Sequence, residues 1–261
     1  MVRLKKLLYC EKERMEKIVK KTRKRLEKAP EGSLWMSKNR GGRQYYHYTS
    51  TKKYISKENM ELIRGLAQKT YDEKVLKKAE KRLHQLEQIL KDYDDDEIEQ
   101  IYLKEHPDRK QHITPVEPTK EQLLEMWKKQ DYHGLGFRED DSVILTEKGE
   151  RVRSKSEKII ADYFYRNGIE YKYECPLCLE KYGVIYPDFT IFIKNSGRLI
   201  YFEHFGMMDE PSYARKAIRK IQTYEENGIF IGDGLIVTFE TSQTVIGTKE
   251  LDRLMKKYVT I

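Results

Sequence analysis

The chain has 261 residues, 36% of them charged and 38% hydrophobic, with a formal net charge of +8. That length holds one large or two modest domains, and no apolar run approaches the roughly 18 residues that a membrane span needs. The N-terminus lacks the apolar core and small-residue cleavage site of a signal peptide. Three cysteines are an odd number for a disulfide scaffold, so a cytoplasmic location without a membrane partner is expected.

The charge is unevenly spread. Residues 1–92 carry 26 Lys and Arg against 12 Asp and Glu, and the remainder carries 25 against 31. A basic segment of this strength suits a phosphate backbone, and a solvated helix surface is the plainer alternative.

Residues 2–28 read as a basic helix with an interrupted apolar stripe through Leu4, Leu7, Leu8, Met15, Ile18, Val19 and Leu26, ended by Pro30-Glu31-Gly32. Short strands are expected at 33–36 and 44–48, with a third at Tyr54-Ile55. Between the first two lies the glycine-containing basic tip Lys38-Asn39-Arg40-Gly41-Gly42-Arg43. From 56 to 91 the pattern predicts one or two long helices, with Leu62, Leu66, Tyr71, Leu76, Leu83, Leu86 and Leu90 on the buried side. The three prolines between 107 and 118 mark a linker, followed by a helix near 120–130. Beyond Thr146 the texture changes: a helix over 154–167, a strand over 170–174, a hairpin, a helix over 211–226, the apolar strand 235–239 and a last helix over 249–258.

The fold class expected is therefore α/β, with a mixed sheet flanked by helices over 136–261. A basic, mainly helical region with a small β-ribbon over 1–135 is read as the part that binds nucleic acid or another partner. Cys175 and Cys178 have the spacing of a metal knuckle, but only Cys10 remains to join them.

The hairpin concentrates the chemistry. Tyr186–Ile193 and Arg198–Glu203 have strand composition and are joined by the turn signal Lys194-Asn195-Ser196-Gly197. Pairing about Asn195-Ser196 places Asp188 opposite Glu203, with Cβ atoms roughly 4.5–5.5 Å apart. Two ionised carboxylates at that distance are tolerated only with a shared proton or a bound cation, and hard oxygen ligands suit Mg²⁺ or Mn²⁺. The alternative is that each acid simply ends a strand at the solvent edge. Glu157, on the sheet-facing side of the preceding helix, is a third acid. Ser154 and Glu157 also fit a capping box, so Glu157 is read equally as a helix cap. His204 alternates away from Glu203 and is expected as a hydrogen-bonded core histidine.

The stretch from about 146 to 241 resembles the PD-(D/E)xK superfamily of restriction-endonuclease-like nucleases. The likeness rests on Glu157, Pro187-Asp188 and Glu203. The wider wording of Gly149–Glu157 and of Phe202–Asp209 is similar to uncharacterised bacterial and phage-type members. The resemblance implies a metal-dependent nuclease in which Asp188, Glu203 and Glu157 hold Mg²⁺, with Mn²⁺ as a substitute. It implies DNA as a more common substrate than RNA, and a homodimer where both strands are cut. The family's usual lysine, two residues after the Glu, is absent because Phe205 stands there. Tyr213, Ala217, Lys220 and Tyr224 fall on one side of the next helix, so Lys220 is the candidate replacement and Lys216 the fallback; a snorkelling surface lysine is the alternative. Lys38, Arg40, Arg43, Lys52 and Lys53 are the candidate nucleic-acid contacts, with the tip Lys38–Arg43 favoured over base stacking by Tyr45, Tyr46 and Tyr48. Two rival readings stand beside the nuclease. One is a catalytically inactive nucleic-acid-binding module, and the other is a protein-interaction module built on helices 2–28 and 56–91.

Overall fold

The computed structural model describes residues 3–39, 42–139 and 142–259. Contacts divide the chain into two units, one ending at Ile101 and one beginning at Tyr102.

In the first unit, α1 (Leu4–Leu26) and α2 (Met60–Leu90) run antiparallel. Ion pairs mark the register: Lys12–Glu87 at 3.8 Å, Arg23–Glu80 at 2.6 Å and Arg25–Asp72 at 3.1 Å. Exposed pairs of this kind contribute little; the seam of Met15, Val19, Ala79 and Leu86 holds the two helices together. Asp72 is different. It is 3% exposed and is held by Arg25 and by the Gln68 amide at 2.9 Å. It takes the place expected for Tyr71, which is 61% exposed. Adjacent helix positions differ by about 100°, and the arginine on α1 makes the acid the better inward residue.

Between the helices, β1 (Ser33–Asn39), β2 (Gly42–Tyr48) and β3 (Lys52–Ile55) form an antiparallel sheet in the order β1-β2-β3. Side chains alternate across a sheet. Leu34, Tyr45 and Ile55 share the face that packs on Ile63 and Leu66 of α2.

The division falls within the short helix α3 (Glu97–Leu103), and α4 (Pro107–Lys110) and α5 (Lys120–Lys129) follow it. A Thr119–Gln122 capping box starts α5. Its Trp127 ring packs 5.6 Å from Phe192, Lys128 pairs with Glu170 at 3.1 Å, and Tyr132 donates to the Tyr173 carbonyl at 3.0 Å. Segment 102–135 thus belongs to the second unit, and the division falls earlier than the expected residue 135.

The rest of the second unit runs β4 (Ile144–Leu145), β5 (Arg151–Val152), α6 (Lys155–Arg166), β6 (Glu170–Tyr173), β7 (Leu177–Leu179), β8 (Gly183–Ile185), β9 (Phe189–Ile193), β10 (Arg198–Phe205), α7 (Pro211–Glu226), β11 (Phe230–Ile231), β12 (Gly234–Phe239) and α8 (Thr248–Tyr258). The main sheet has the order β11-β12-β10-β9-β6. β10 and β12 are parallel, whereas β6, β9 and β10 are antiparallel, so the sheet is mixed and the unit is α/β. β12 is buried on both faces through Leu235 and Ile236, as its apolar run predicts, but β10 is the central strand.

Phe164 of α6 meets Phe189 at 5.4 Å and Phe202 at 5.6 Å, both edge-to-face. Tyr163 of α6 donates to Asp252 of α8 at 2.6 Å, so α6 and α8 lie together on that face. On the other face Tyr201 packs 6.1 Å from Tyr224 of α7. The sheet is covered on both sides. No helix among the described residues is long and apolar enough to cross a membrane.

Candidate active site

The β9–β10 hairpin has the register the turn predicts: Phe189 faces Phe202, Thr190 faces Tyr201 and Ile193 faces Arg198. Gly197 takes φ +66°, a conformation that glycine adopts without a Cβ penalty. One residue before β9, the ladder changes character. Pro187 is fully buried, and Asp188 turns its carboxylate to accept the His204 backbone N–H at 2.6 Å, while its carbonyl accepts the Glu174 N–H at 3.1 Å. A side chain thus replaces the backbone as partner of β10, and Asp188 stands beside Glu203.

Glu203 is 1% exposed and Asp188 is half-buried. Both lie on the face covered by α7. The helical spacing of Tyr213, Ala217, Lys220 and Tyr224 brings all four to this face. Lys220 Nζ lies 2.7 Å from the Glu203 carboxylate and 3.0 Å from the Tyr186 carbonyl; the Tyr224 hydroxyl donates to Glu203 at 2.6 Å. The Tyr213 hydroxyl accepts the Gly206 N–H at 3.3 Å, and Ala217 is buried. Lys216 is exposed, which leaves Lys220 as the lysine of the site.

The electrostatics follow from two acids facing one ammonium. Burial and the Glu203 charge push the Asp188 carboxyl well above its ordinary range, against the opposing pull of Lys220 and the His204 N–H. Burial also raises Glu203, partly offset by Lys220, Tyr224 and a hydrogen bond with Asp188. Burial alone would lower Lys220, but the two carboxylates outweigh it and its pKa rises. The cluster is therefore short of positive charge by about one unit when both acids are ionised.

Glu157 does not join the pair. Its amide donates to Ser154 Oγ at 3.1 Å, and its carboxylate accepts from Ser154 Oγ at 3.0 Å, the Arg153 N–H at 2.9 Å and the Tyr173 hydroxyl at 2.6 Å. These bonds commit it to the start of α6, so the helix-cap role prevails over the expected third metal ligand. Its charge still reaches Asp188. Among the described residues no three His, Cys, Asp or Glu side chains converge on a point that could hold a metal ion.

On the opposite face of β10, His204 is buried as expected. Its Nδ1 lies 2.8 Å from Thr238 Oγ1 and its Nε2 lies 3.0 Å from Glu240, which also accepts Ser156 Oγ at 2.7 Å and the Ile246 N–H. Burial alone would raise the Glu240 carboxyl, but Ile246, Ser156 and His204 together hold it low. Sequence reasoning missed Glu240, whose only signal was an acid directly after an apolar strand. It also missed the 2.5 Å ion pair between Arg153 and buried Glu174.

The proposed nucleic-acid contacts do not share one face. Strand alternation puts Lys38, Arg43 and Lys53 on the α2 side of the first unit's sheet and Lys52 on the other. Arg40 lies outside the described residues.

No protein-family model matches the chain, and no solved structure matches it. Over 89 residues, 34% of this chain, it is 43% identical to the "Uncharacterized protein MJ1519" of Methanocaldococcus jannaschii; that stretch is 7% of the archaeal protein's length.

Proposed function

We propose that the second unit is a metal-dependent phosphodiesterase of the PD-(D/E)xK kind, cutting DNA in the cytoplasm. The observation that carries this reading is the Asp188–Glu203–Lys220 cluster: two side-by-side carboxylates held above their ordinary pKa, with a helix lysine 2.7 Å from one of them. Such a cluster fits Mg²⁺ or Mn²⁺. Its donors are hard carboxylate oxygens, and the pair carries more negative charge than Lys220 balances.

Asp188 and Glu203 would hold the ion, which when bound supplies Lewis acidity toward the phosphate and a more acidic water. The chain's own residues do the positioning. The His204 N–H fixes the Asp188 rotamer, and Tyr224 and Lys220 fix that of Glu203. The Lys220 ammonium supplies a preset positive charge where negative charge grows on the phosphate. The first unit's basic residues, Lys38, Arg43 and Lys53 on one face of its sheet and Lys52 on the other, are the candidate contacts for the substrate backbone.

The inactive binding module is the second reading. It is favoured by two observations: Lys220 already neutralises part of the pair, and Glu157 is committed to the α6 cap. The test is cleavage of supercoiled plasmid, linear DNA and single-stranded RNA in EDTA, Mg²⁺ and Mn²⁺, beside Asp188→Ala. Metal-dependent cutting lost in the variant supports the phosphodiesterase. Absence of both cutting and Mn²⁺ binding leaves the inactive module.

A further inference from the structure

The first unit's sheet has one face packed on α2 and one face open. On the open face the register aligns Trp35, Tyr46 and Tyr54 in a single row across all three strands, because Trp35 pairs with Tyr46 and Tyr46 with Tyr54. The rings meet edge-to-face, at 5.4 Å between Trp35 and Tyr46 and 5.7 Å between Tyr46 and Tyr54. Tyr48 and Lys52 form the next row. Trp35 remains 47% exposed, Tyr54 58% and Tyr48 51%. The Lys52 ammonium sits 3.1 Å from the Trp35 ring centroid and 4.2 Å from that of Tyr46.

Large aromatic residues left exposed side by side are unusual on a surface that encloses no core of its own. The composition narrows the occupant. The face carries aromatic rings, one cation and the polar Ser33, Ser37 and Gln44, with no aliphatic residue among its aligned positions, and it stands in the segment 1–92 with 26 basic residues against 12 acidic. An aliphatic partner helix would gain little from such a surface. Unpaired bases stack on rings, and their phosphates take the cations. A duplex keeps its bases stacked inside and has nothing to offer the rings.

We infer that this aromatic face binds single-stranded nucleic acid by stacking unpaired bases on Trp35 and Tyr54, with Lys52 taking an adjacent phosphate. The inference does not depend on the phosphodiesterase reading, because binding is measurable in EDTA where no metal-dependent cutting occurs. It shifts the contact surface from the hairpin tip to the sheet face and selects the strandedness of the ligand.

The experiment uses the full chain in EDTA with fluorescently labelled dT12, U12 and a 12-base-pair DNA duplex. Anisotropy gives affinity and tryptophan emission reports Trp35. Both single strands should bind at least tenfold tighter than the duplex and should quench tryptophan emission; the ratio of dT12 to U12 affinity tells DNA preference from RNA preference. Trp35→Ala and Tyr54→Ala should each weaken single-strand binding about tenfold while duplex binding stays unchanged, and Trp35→Phe should recover most of the loss. Lys52→Gln should flatten the salt dependence of single-strand binding. Both aromatic positions are exposed, and circular dichroism of the variants checks that folding is intact. Equal affinity for duplex and single strand overturns the inference, as do unchanged affinities in both alanine variants or no binding at all. A dimer in sedimentation that Trp35→Ala dissolves, with no oligonucleotide bound, would assign the face to a second copy and overturn it equally.

Discussion

Replacing Asp188 by Asn should stabilise the metal-free second unit while abolishing its response to metal. At the roughly 5 Å spacing of opposed residues, two unit charges at an effective dielectric near 20 repel by about 3 kcal/mol. Burial is the largest influence that raises Asp188, and the Glu203 repulsion that adds to it exceeds the offsetting attraction of Lys220. Asn keeps an oxygen for the His204 N–H, so the hydrogen bond at 2.6 Å survives in weaker form. The balance is a gain of about 2 kcal/mol, or a Tm rise of about 4–8 °C for a unit of this size. The pH dependence has a definite sign. Asp188 has a folded pKa above its unfolded value, so its proton-linked stability is fully present below the ordinary carboxylate range and is lost as pH rises through the raised value. The native protein should therefore lose stability across that window in EDTA, and Asp188→Asn should lose less. The chain has two tryptophans, and Trp127 packs on Phe192 in the second unit. Thermal unfolding followed by Trp127 emission in a Trp35→Phe background isolates the relevant transition. Adding Mn²⁺ at 100 times its Kd should restore about 2.7 kcal/mol to the native protein and nothing to the variant. A lower Tm for Asp188→Asn at pH 8 in EDTA, or equal Mn²⁺ shifts in both proteins, would refute the charge argument.

Lys220→Ala should lower cleavage by roughly 10²-fold or more if its charge stabilises the developing phosphate charge, with oligonucleotide anisotropy unchanged. Glu157→Gln should leave cleavage within a few-fold of the native rate and cost about 1 kcal/mol in denaturant unfolding, since its role is at the α6 terminus. Phe202→Ala should cost about 3–5 kcal/mol by removing the ring that meets Phe164 and Phe189; urea titration reads it directly, and a loss under 1 kcal/mol would mean the site collapses around the gap.

The hairpin was legible because local signals agree: a glycine-ended turn, strand composition on both sides, and a period of two that leaves one register for the buried face. Lys220 was legible for a related reason, since a cation among Tyr213, Ala217 and Tyr224 has to point where they point. Other features depend on partners distant in sequence. Asp72 turns inward only because Arg25 is on the facing helix, and α5 joins the second unit only because Phe192 and Glu170 receive it. Glu240 and Ser156 are 84 residues apart and meet only when the sheet is assembled. Glu157 fitted two local patterns equally, and Tyr173, a strand away, decides between them through its hydroxyl.

The place of the lysine on α7, rather than on the strand that carries Glu203, changes what the acid pair needs. On the strand, two residues after Glu203, a lysine would share the face of Glu203 and leave it by a change of rotamer. On α7, the Lys220 ammonium is held by two acceptors at once, Glu203 and the Tyr186 carbonyl. Its position is then set by the packing of α7 on the sheet through Ala217 and Tyr224. Any change that tilts α7 moves the ammonium and the Tyr224 hydroxyl away from Glu203 together. A larger residue at 217 should therefore raise the Glu203 pKa without touching either acid. Ala217→Leu is the direct case, because Ala217 is 3% exposed and has no room to grow. Its Glu203 pKa, read from the pH dependence of stability in EDTA, should rise by more than that of Lys220→Gln, since the former loses two partners of Glu203 and the latter one. The reverse order would place the control of Glu203 in Lys220 alone.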